Sequence, residues 1–391
     1  MRVGVDATCW ANERGYGRFT RELVAAMVRQ APMHEFVCVL DDRSAARFQL
    51  RASNLSTRVV SQTVSPTLAA ASGSRRSLGD MLRLTKAVRE ARVDVFFSPS
   101  VYSYFPLPPG LPAVVTIHDA IAERFPALTL PTPWDRWSWW AKVRLALMQA
   151  RLVLTVSDYA AGELATYLGV AKNRLRVSLE GVSDAYRPSD SVEQIRDTAA
   201  RVGLPPGARW LTYVGGFGPH KHVDLLVRAH AQVVRQHSGS PPFLLLTGSS
   251  QDGFHDGIDS IHAAIRECGT ERLIRWTGFL DDEDVRHLHS GAVALMLVSA
   301  SEGFGLPAVE AARCGTPVIA TTESPLPQIL EGGGLFVKPG DTTAMAMAIE
   351  QLLVDEPRRR ALGSRALERA LTLSWPRSAR VALDTLEEVG I

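Results

Sequence analysis

The chain has 391 residues, 46% of them hydrophobic and 21% charged, with a formal net charge of +2. Such a composition excludes a disordered chain, and so balanced a charge supplies no general nucleic-acid surface. The length exceeds one ordinary core, so two domains are expected.

The four cysteines, Cys9, Cys38, Cys268 and Cys314, have no paired spacing. They read as buried thiols in a reducing compartment, not as a disulfide frame or zinc site. No apolar run approaches the ~20 residues of a membrane span. The opening Arg2-Val3-Gly4-Val5-Asp6 reads as a first strand and not as a signal peptide, so a cytoplasmic location is expected.

After that strand, Ala11 to Arg18 reads as a loop carrying Gly15 and Gly17. Phe19 to Ala31 follows as a helix, with Leu23, Met27 and Val28 at helical spacing. Gly-x-Gly after a first strand suits close approach to a phosphate. The dinucleotide pattern lacks its third glycine, Phe19 and Thr20 standing there instead. Phe36 to Leu40 reads as a strand and Ser61 to Ser77 as a surface loop. Val93 to Ser98 and Ala113 to Ile117 read as further strands. His118 and Asp119 fall at the carboxyl end of the second, where open α/β sheets bind ligands.

Trp134 to Arg144 concentrates four tryptophans among basic residues. Trp134, Trp137 and Ala141 recur at helical spacing, which suits a helix packed on its domain. Tryptophan beside basic residues also suits a boundary with an anionic membrane or an acceptor. Leu152 to Val156 reads as a strand, with Ser157 capping the helix Tyr159 to Leu168. The first domain is expected to span 1–188.

The second domain, 189–374, opens with a linker and a helix. Trp210 to Val214 reads as a strand, followed by Gly215-Gly216-Phe217-Gly218-Pro219-His220-Lys221-His222 and a helix from Val223 to Val234. A glycine-rich loop that places Lys221 beside a helix N-terminus is a phosphate site by physical type. His220 and His222, two apart, share no helix face and make no metal pair. Phe243 to Thr247 and Leu273 to Phe279 read as strand segments. Asp281 to Asp284 precedes a helix starting near Val285, where acidic residues favour the dipole.

Ala292 to Val298 is an unbroken apolar run, the pattern of a strand buried on both faces. Ser299 to Leu306 follows as a loop. A helix then starts at Pro307, runs to about Cys314 and is capped by Gly315, with Val318 to Ala320 as the next strand. Glu302 is expected in the loop and Glu310 on the first helical turn, both facing one cleft. Helices at Thr342–Leu353 and Pro357–Leu373 precede a last helix, 375–391.

Two glutamates with seven residues between them, Gly-Phe-Gly-Leu-Pro among these, resemble the donor-site signature of the retaining glycosyltransferases of family 4. The glycine loop, the His-Asp pair, the basic loop and the paired glutamates occur in the family's order over nearly the whole chain. The resemblance implies the GT-B fold: two Rossmann-like domains with parallel sheets, an interdomain cleft and a last helix crossing back to the first domain. It implies that Glu310 holds ribose hydroxyls and that Glu302 lies against the transferred sugar. The amides of Gly303, Phe304, Gly305 and Leu306 would receive sugar hydroxyls and phosphate. Gly15, Gly17, Gly216, His220 and Lys221 would face the diphosphate, and Gly278 and Phe279 the nucleobase. His118 would touch the donor sugar, and Asp119 would lie on the acceptor side. The catalytic set is thus His118, Glu302 and Lys221. Where the family has arginine before the lysine, this chain has His220, which weakens the clamp or makes it pH-sensitive.

The implied reaction moves a hexosyl group, mannose first, from a nucleoside diphosphate sugar to a hydroxyl of a glycan or lipid-linked saccharide. No metal or other cofactor is expected. A guanine nucleotide is the first choice, with uridine or thymidine as alternatives. The pattern is closest to mannosyl- and deoxyhexosyltransferases of surface polysaccharide assembly. Other readings are a non-catalytic nucleotide-sugar-binding subunit and a nucleotide-sugar epimerase. No motif names the acceptor.

Overall fold

The computed structural model describes residues 1–64, 77–248 and 257–390. Most of the expected Ser61–Ser77 loop therefore lies outside the described residues. The chain divides into two compact units, Met1–Gly181 with Ser374–Ile391, and Val182–Leu373.

The first unit is a seven-stranded sheet of β1 (Arg2–Asp6), β2 (Glu35–Leu40), β3 (Leu55–Val59), β4 (Val95–Ser98), β5 (Ala113–Thr116), β6 (Leu152–Thr155) and β7 (Leu175–Val177). Their order is β3-β2-β1-β4-β5-β6-β7. Neighbours are parallel throughout; Val5, for example, stands between Cys38 of β2 and Phe97 of β4. Central strands such as Val-Phe-Phe-Ser and Leu-Val-Leu-Thr are wholly buried. Aromatic and β-branched side chains fill both faces, as a parallel sheet covered by helices demands. Leu84, Phe96, Val115, Val153 and Leu164 meet in its core.

The last helix, Trp375–Gly390, packs along Gly15–Gln30. It is tied down by His34 Nε2 to Glu387 at 2.8 Å and by Arg151 Nη1 to the Val389 carbonyl at 3.1 Å.

In the second unit β8 (Trp210–Val214), β9 (Phe243–Thr247), β10 (Ile274–Gly278), β11 (Ala294–Leu297), β12 (Val318–Thr321) and β13 (Gly334–Val337) form a six-stranded sheet. Its order is β10-β9-β8-β11-β12-β13, again with every neighbour parallel. Both sheets thus reverse direction beside their first strand, between β1 and β4 and between β8 and β11. In doubly wound sheets the crevice for ligands opens at the carboxyl ends of the strands flanking that switch.

The boundary falls after Gly181 and not after Pro188. Tyr186 is buried in the second unit, where its hydroxyl donates to Asp282 Oδ1 at 2.9 Å, and the Ser189 amide donates to Ser290 Oγ at 3.0 Å. A second correction concerns the glycines after β1. The helix starts at Gly15, so Gly15 and Gly17 belong to its first turn and not to a loop.

Candidate functional site

In the second unit the loops after β8 and β11 are joined. The Ala300 amide donates to the His220 carbonyl at 2.8 Å, so the His-Lys turn and the Ser-x-x-Glu loop are positioned together. Pro219–Lys221 is one 3-10 turn, and His222, at φ +53°, hands the chain to the helix Val223–Gln236. Lys221 Nζ lies 2.7 Å from Glu302 Oε1, which also accepts from Ser299 Oγ at 2.5 Å. Glu302 is buried and not a solvated loop residue. Its neighbour Tyr213 has its hydroxyl pushed well above the ordinary value, by burial first and then by the Glu302 charge. Ser299 was not among the sequence-derived site residues, although its spacing of three from Glu302 was there to be read.

The helix after β11 is Leu306–Arg313, with Pro307 in its first turn and Gly315 at φ +79° beyond its end. Because it starts at Leu306, Glu310 stands on the second turn and not the first. Glu310 is buried, and its charge adds to burial in pushing the Cys314 thiol up to about 12. No side chain caps the helix at Gly305. Gly305 has φ +90°, and a Cβ there would meet Leu326 Cδ1 at 2.8 Å. Glycine is therefore required by the turn and its packing, before any ligand is considered. Phe304 and Leu306 are buried, and Gly303 lies in the loop ahead of them.

Gly216 follows β8, its carbonyl accepting from the Tyr213 hydroxyl. Gly278 ends β10 with its carbonyl accepting from the Gly248 amide at 3.1 Å, while Phe279 is 63% exposed. The acidic run Asp281–Asp284 is a helix start, as expected. Asp281 accepts from the Asp284 amide at 2.8 Å, and Asp284 pairs with Arg201 at 2.5 Å. Among the described residues no group of three or more His, Cys, Asp or Glu is placed to hold a metal ion.

In the first unit His118 and Asp119 follow β5. Both His118 ring nitrogens are shut off from solvent with no hydrogen-bond partner among the described residues. The ring meets Phe19 edge-on at 4.7 Å, and burial pushes its pKa down to about 4. It is therefore a neutral imidazole at physiological pH, with one donor and one acceptor to offer. Asp119 Oδ1 accepts from the Ile121 amide at 3.0 Å. Gly17 packs so tightly that a Cβ would meet the Asn12 carbonyl oxygen at 2.1 Å, whereas Gly15 has open space. Gly17 thus serves the fold of its own turn.

Sequence reasoning missed an aromatic and acidic group at the same sheet end. Tyr16 stacks on Tyr102 at 5.1 Å, and Tyr102 meets Trp139 at 5.1 Å. Trp139 Nε1 donates to Glu123 at 2.7 Å. Tyr102 sits four residues beyond β4, at the switch point, which was the available signal.

Trp134, Trp137 and Trp140 lie on the helix Pro133–Gln149, capped by Thr132 and Asp135. The expected packed stripe is corrected: Trp134 and Trp137 are 48% and 56% exposed, and Trp140 is 57% exposed. The residues this helix buries are Val143, Ala146 and Leu147. Arg144 lies over the Trp140 ring at 5.8 Å. Of the cysteines, Cys9, Cys38 and Cys314 are buried, but Cys268 is only half-buried. Cys9 and Cys38 are pushed up to about 12, chiefly by burial, and are inert as nucleophiles.

Residues 14–186 match the family described as Glycosyltransferase Family 4, and residues 194–369 match Glycosyl transferases group 1. The O-antigen chain mannosyltransferase B of Escherichia coli is 29% identical over 292 residues, covering 74% of this chain and 73% of that protein. A D-inositol 3-phosphate glycosyltransferase of Nocardia farcinica is 29% identical over 281 residues, 70% of this chain and 61% of its own length. The structure of Anabaena HepE in complex with UDP-glucose superposes with a TM-score of 0.75 at 18% identity, covering 99% of both chains. With two doubly wound parallel sheets, the chain belongs to the family 4-type glycosyltransferases of GT-B fold. Among the described residues no helix is long and apolar enough to cross a membrane.

Proposed function

We propose that the protein transfers a hexosyl group, with retention, from a nucleoside diphosphate sugar to an acceptor hydroxyl. The observation that carries this reading is the Lys221–Glu302 pair at the carboxyl ends of β8 and β11, with buried Glu310 on the helix that follows. Lys221, His220 and the amides at Gly303–Leu306 would stabilise charge on the departing diphosphate, Gly15 and Gly216 would leave room for it, and Gly17 would shape the turn that faces it. Glu310 would hold the ribose hydroxyls, and Gly278 and Phe279 would border the base. Glu302 would lie against the sugar, His118 would hydrogen-bond a sugar hydroxyl, and Asp119 would stand on the acceptor side. Protein groups handle the phosphate charge in this scheme, so no metal or other cofactor is required.

Mannose and a guanine nucleotide are the first choice, supported by the mannosyltransferase among the relatives. Uridine is the alternative, since a neighbour of the same fold is described with UDP-glucose. The acceptor is a glycan or lipid-linked saccharide on the cytoplasmic side of a membrane. The exposed tryptophans with Arg136 and Arg144 suit contact with anionic headgroups, where indole and cation are both favourable.

The test is to incubate the purified protein with nucleoside diphosphate sugars and follow nucleoside diphosphate release and sugar identity. Release that rises when a saccharide acceptor is added supports transfer. A binding subunit would release none, and an epimerase would interconvert sugars with no acceptor present.

A further inference from the structure

Ser299, two residues beyond β11, is wholly buried, and its hydroxyl donates to Glu302 Oε1 at 2.5 Å. Lys221 Nζ lies 2.7 Å from that same oxygen. Glu302 Oε2 has no hydrogen-bond partner among the described residues, yet it is not shut off from solvent. The carboxylate thus carries both of its donors on one oxygen and leaves the other open.

We infer that Ser299 is a positioning residue for donor binding: its hydroxyl keeps hold of Oε1 while Lys221 passes from Glu302 to the donor diphosphate. The inference rests on the glycosyl-transfer reading above and concerns how the lysine of that site becomes available. An ammonium on a flexible four-carbon stem can serve either anion. Glu302 and the diphosphate therefore compete for it, and any other donor to the carboxylate favours the diphosphate. A buried carboxylate stripped of its last donor is costly, so without Ser299 the lysine stays with Glu302. With Ser299 in place the carboxylate keeps one hydrogen bond throughout, and Oε2 stays turned to the open side.

No other described group is placed to take this part. Tyr213 is a neighbour of Glu302, but its hydroxyl donates to the Gly216 carbonyl. Lys221 is the one cation paired with Glu302 among the described residues. The main chain is held separately. The Glu302 amide donates to the Glu323 carbonyl at 3.0 Å, and the Ala300 amide to the His220 carbonyl at 2.8 Å. Removing the Ser299 hydroxyl leaves these backbone bonds in place and acts on the carboxylate.

The test is calorimetric titration of the full chain with GDP, UDP and dTDP, each beside its nucleoside. The wild type is compared with Ser299→Ala, Ser299→Cys, Glu302→Gln and the double variant Ser299→Ala/Glu302→Gln. We expect Ser299→Ala to bind the preferred diphosphate about tenfold more weakly, as loss of the lysine's charge-assisted hydrogen bond implies. Ser299→Cys, close in size but a weak donor, should shift the same way and carries the comparison if the alanine variant fails to fold. The nucleoside should bind wild type and variants alike, because the lysine does not act on it. In the Glu302→Gln background the serine replacement should have no further effect, since no charge is left to hold the lysine. A packing role for Ser299 would weaken diphosphate and nucleoside together, or would persist in the Glu302→Gln background, and either result overturns the inference. So does wild-type affinity for the diphosphate in both serine variants. If the wild type binds no diphosphate at all, the donor reading itself fails and takes the inference with it.

Discussion

Lys221 Nζ and Glu302 Oε1 lie 2.7 Å apart although 81 residues separate them, which joins the loop after β8 to the loop after β11. With side-chain exposures of 21% and 10%, the pair is largely withdrawn from water. The Ser299 hydroxyl on the same oxygen and the Ala300–His220 backbone bond make the two loops one preformed unit. In the proposed reaction a donor diphosphate would meet a lysine already held in place.

Removing the lysine should cost more than neutralising the glutamate. In Lys221→Met the Glu302 charge stays buried with only neutral partners, and loss of one partner of a fully buried pair costs about 3–5 kcal/mol. Partial exposure of Lys221 reduces this to roughly 1–3 kcal/mol. Glu302→Gln can keep the Ser299 contact and should lose less stability, but transfer should fall at least about a hundredfold. Chemical denaturation and transfer rates measured on both variants check the contrast.

Stability should fall with acid between about pH 6.5 and 4. Burial lowers His118 to about 4 and His289 to about 3, and His230 is lowered as well. Below the ordinary histidine value the unfolded chain takes up protons that the folded chain refuses, so acid favours unfolding. The loss levels off once the folded histidines protonate as well. Thermal melts at pH 7.5, 6 and 4.5 should show the midpoint dropping; a midpoint that rises toward pH 4.5 would contradict this.

Transfer should survive chelation. Asp281, Asp282 and Asp284 are committed to a helix cap, the Tyr186 hydroxyl and Arg201 respectively. Abolition of transfer by EDTA with rescue by Mn²⁺ would show that a metal takes part after all.

The tryptophan face should bind anionic vesicles. Sedimentation with phosphatidylglycerol vesicles should exceed that with phosphatidylcholine and weaken in salt. Replacing Trp137 and Trp140 by serine should reduce it at least about tenfold, with the melting point little changed because both side chains are largely exposed. Equal sedimentation of variant and wild type would remove membrane contact from the account.

Central strands were legible because burial on both faces leaves an uninterrupted apolar run: Trp210–Val214 and Phe243–Thr247 match their predicted bounds. The edge strands Leu55–Val59 and Leu175–Val177 were not recognised. Their residues are exposed or half-buried, so no apolar run marks them. Periodicity misled at Trp134 and Trp137 for a related reason: spacing says that residues share a helix face, not that the face is covered. Lys221 and Glu302 could each be proposed from local motifs, but their contact arises only when β8 and β11 become neighbours. The aromatic and acidic group combines Tyr16, Tyr102, Glu123 and Trp139 from separate segments, and no local spacing links them.

The most direct test of the central claim is calorimetric titration of the wild type and Glu310→Gln with GDP, UDP and dTDP, each beside its nucleoside. At least one nucleoside diphosphate should bind, more tightly than its nucleoside, if Lys221 and the loop amides act on the phosphates as proposed. Glu310→Gln should weaken the ribonucleotide about tenfold or more, since one charge-assisted hydrogen bond is worth about 1.5–3 kcal/mol. No binding by any diphosphate, or equal affinity in wild type and variant, would contradict the account.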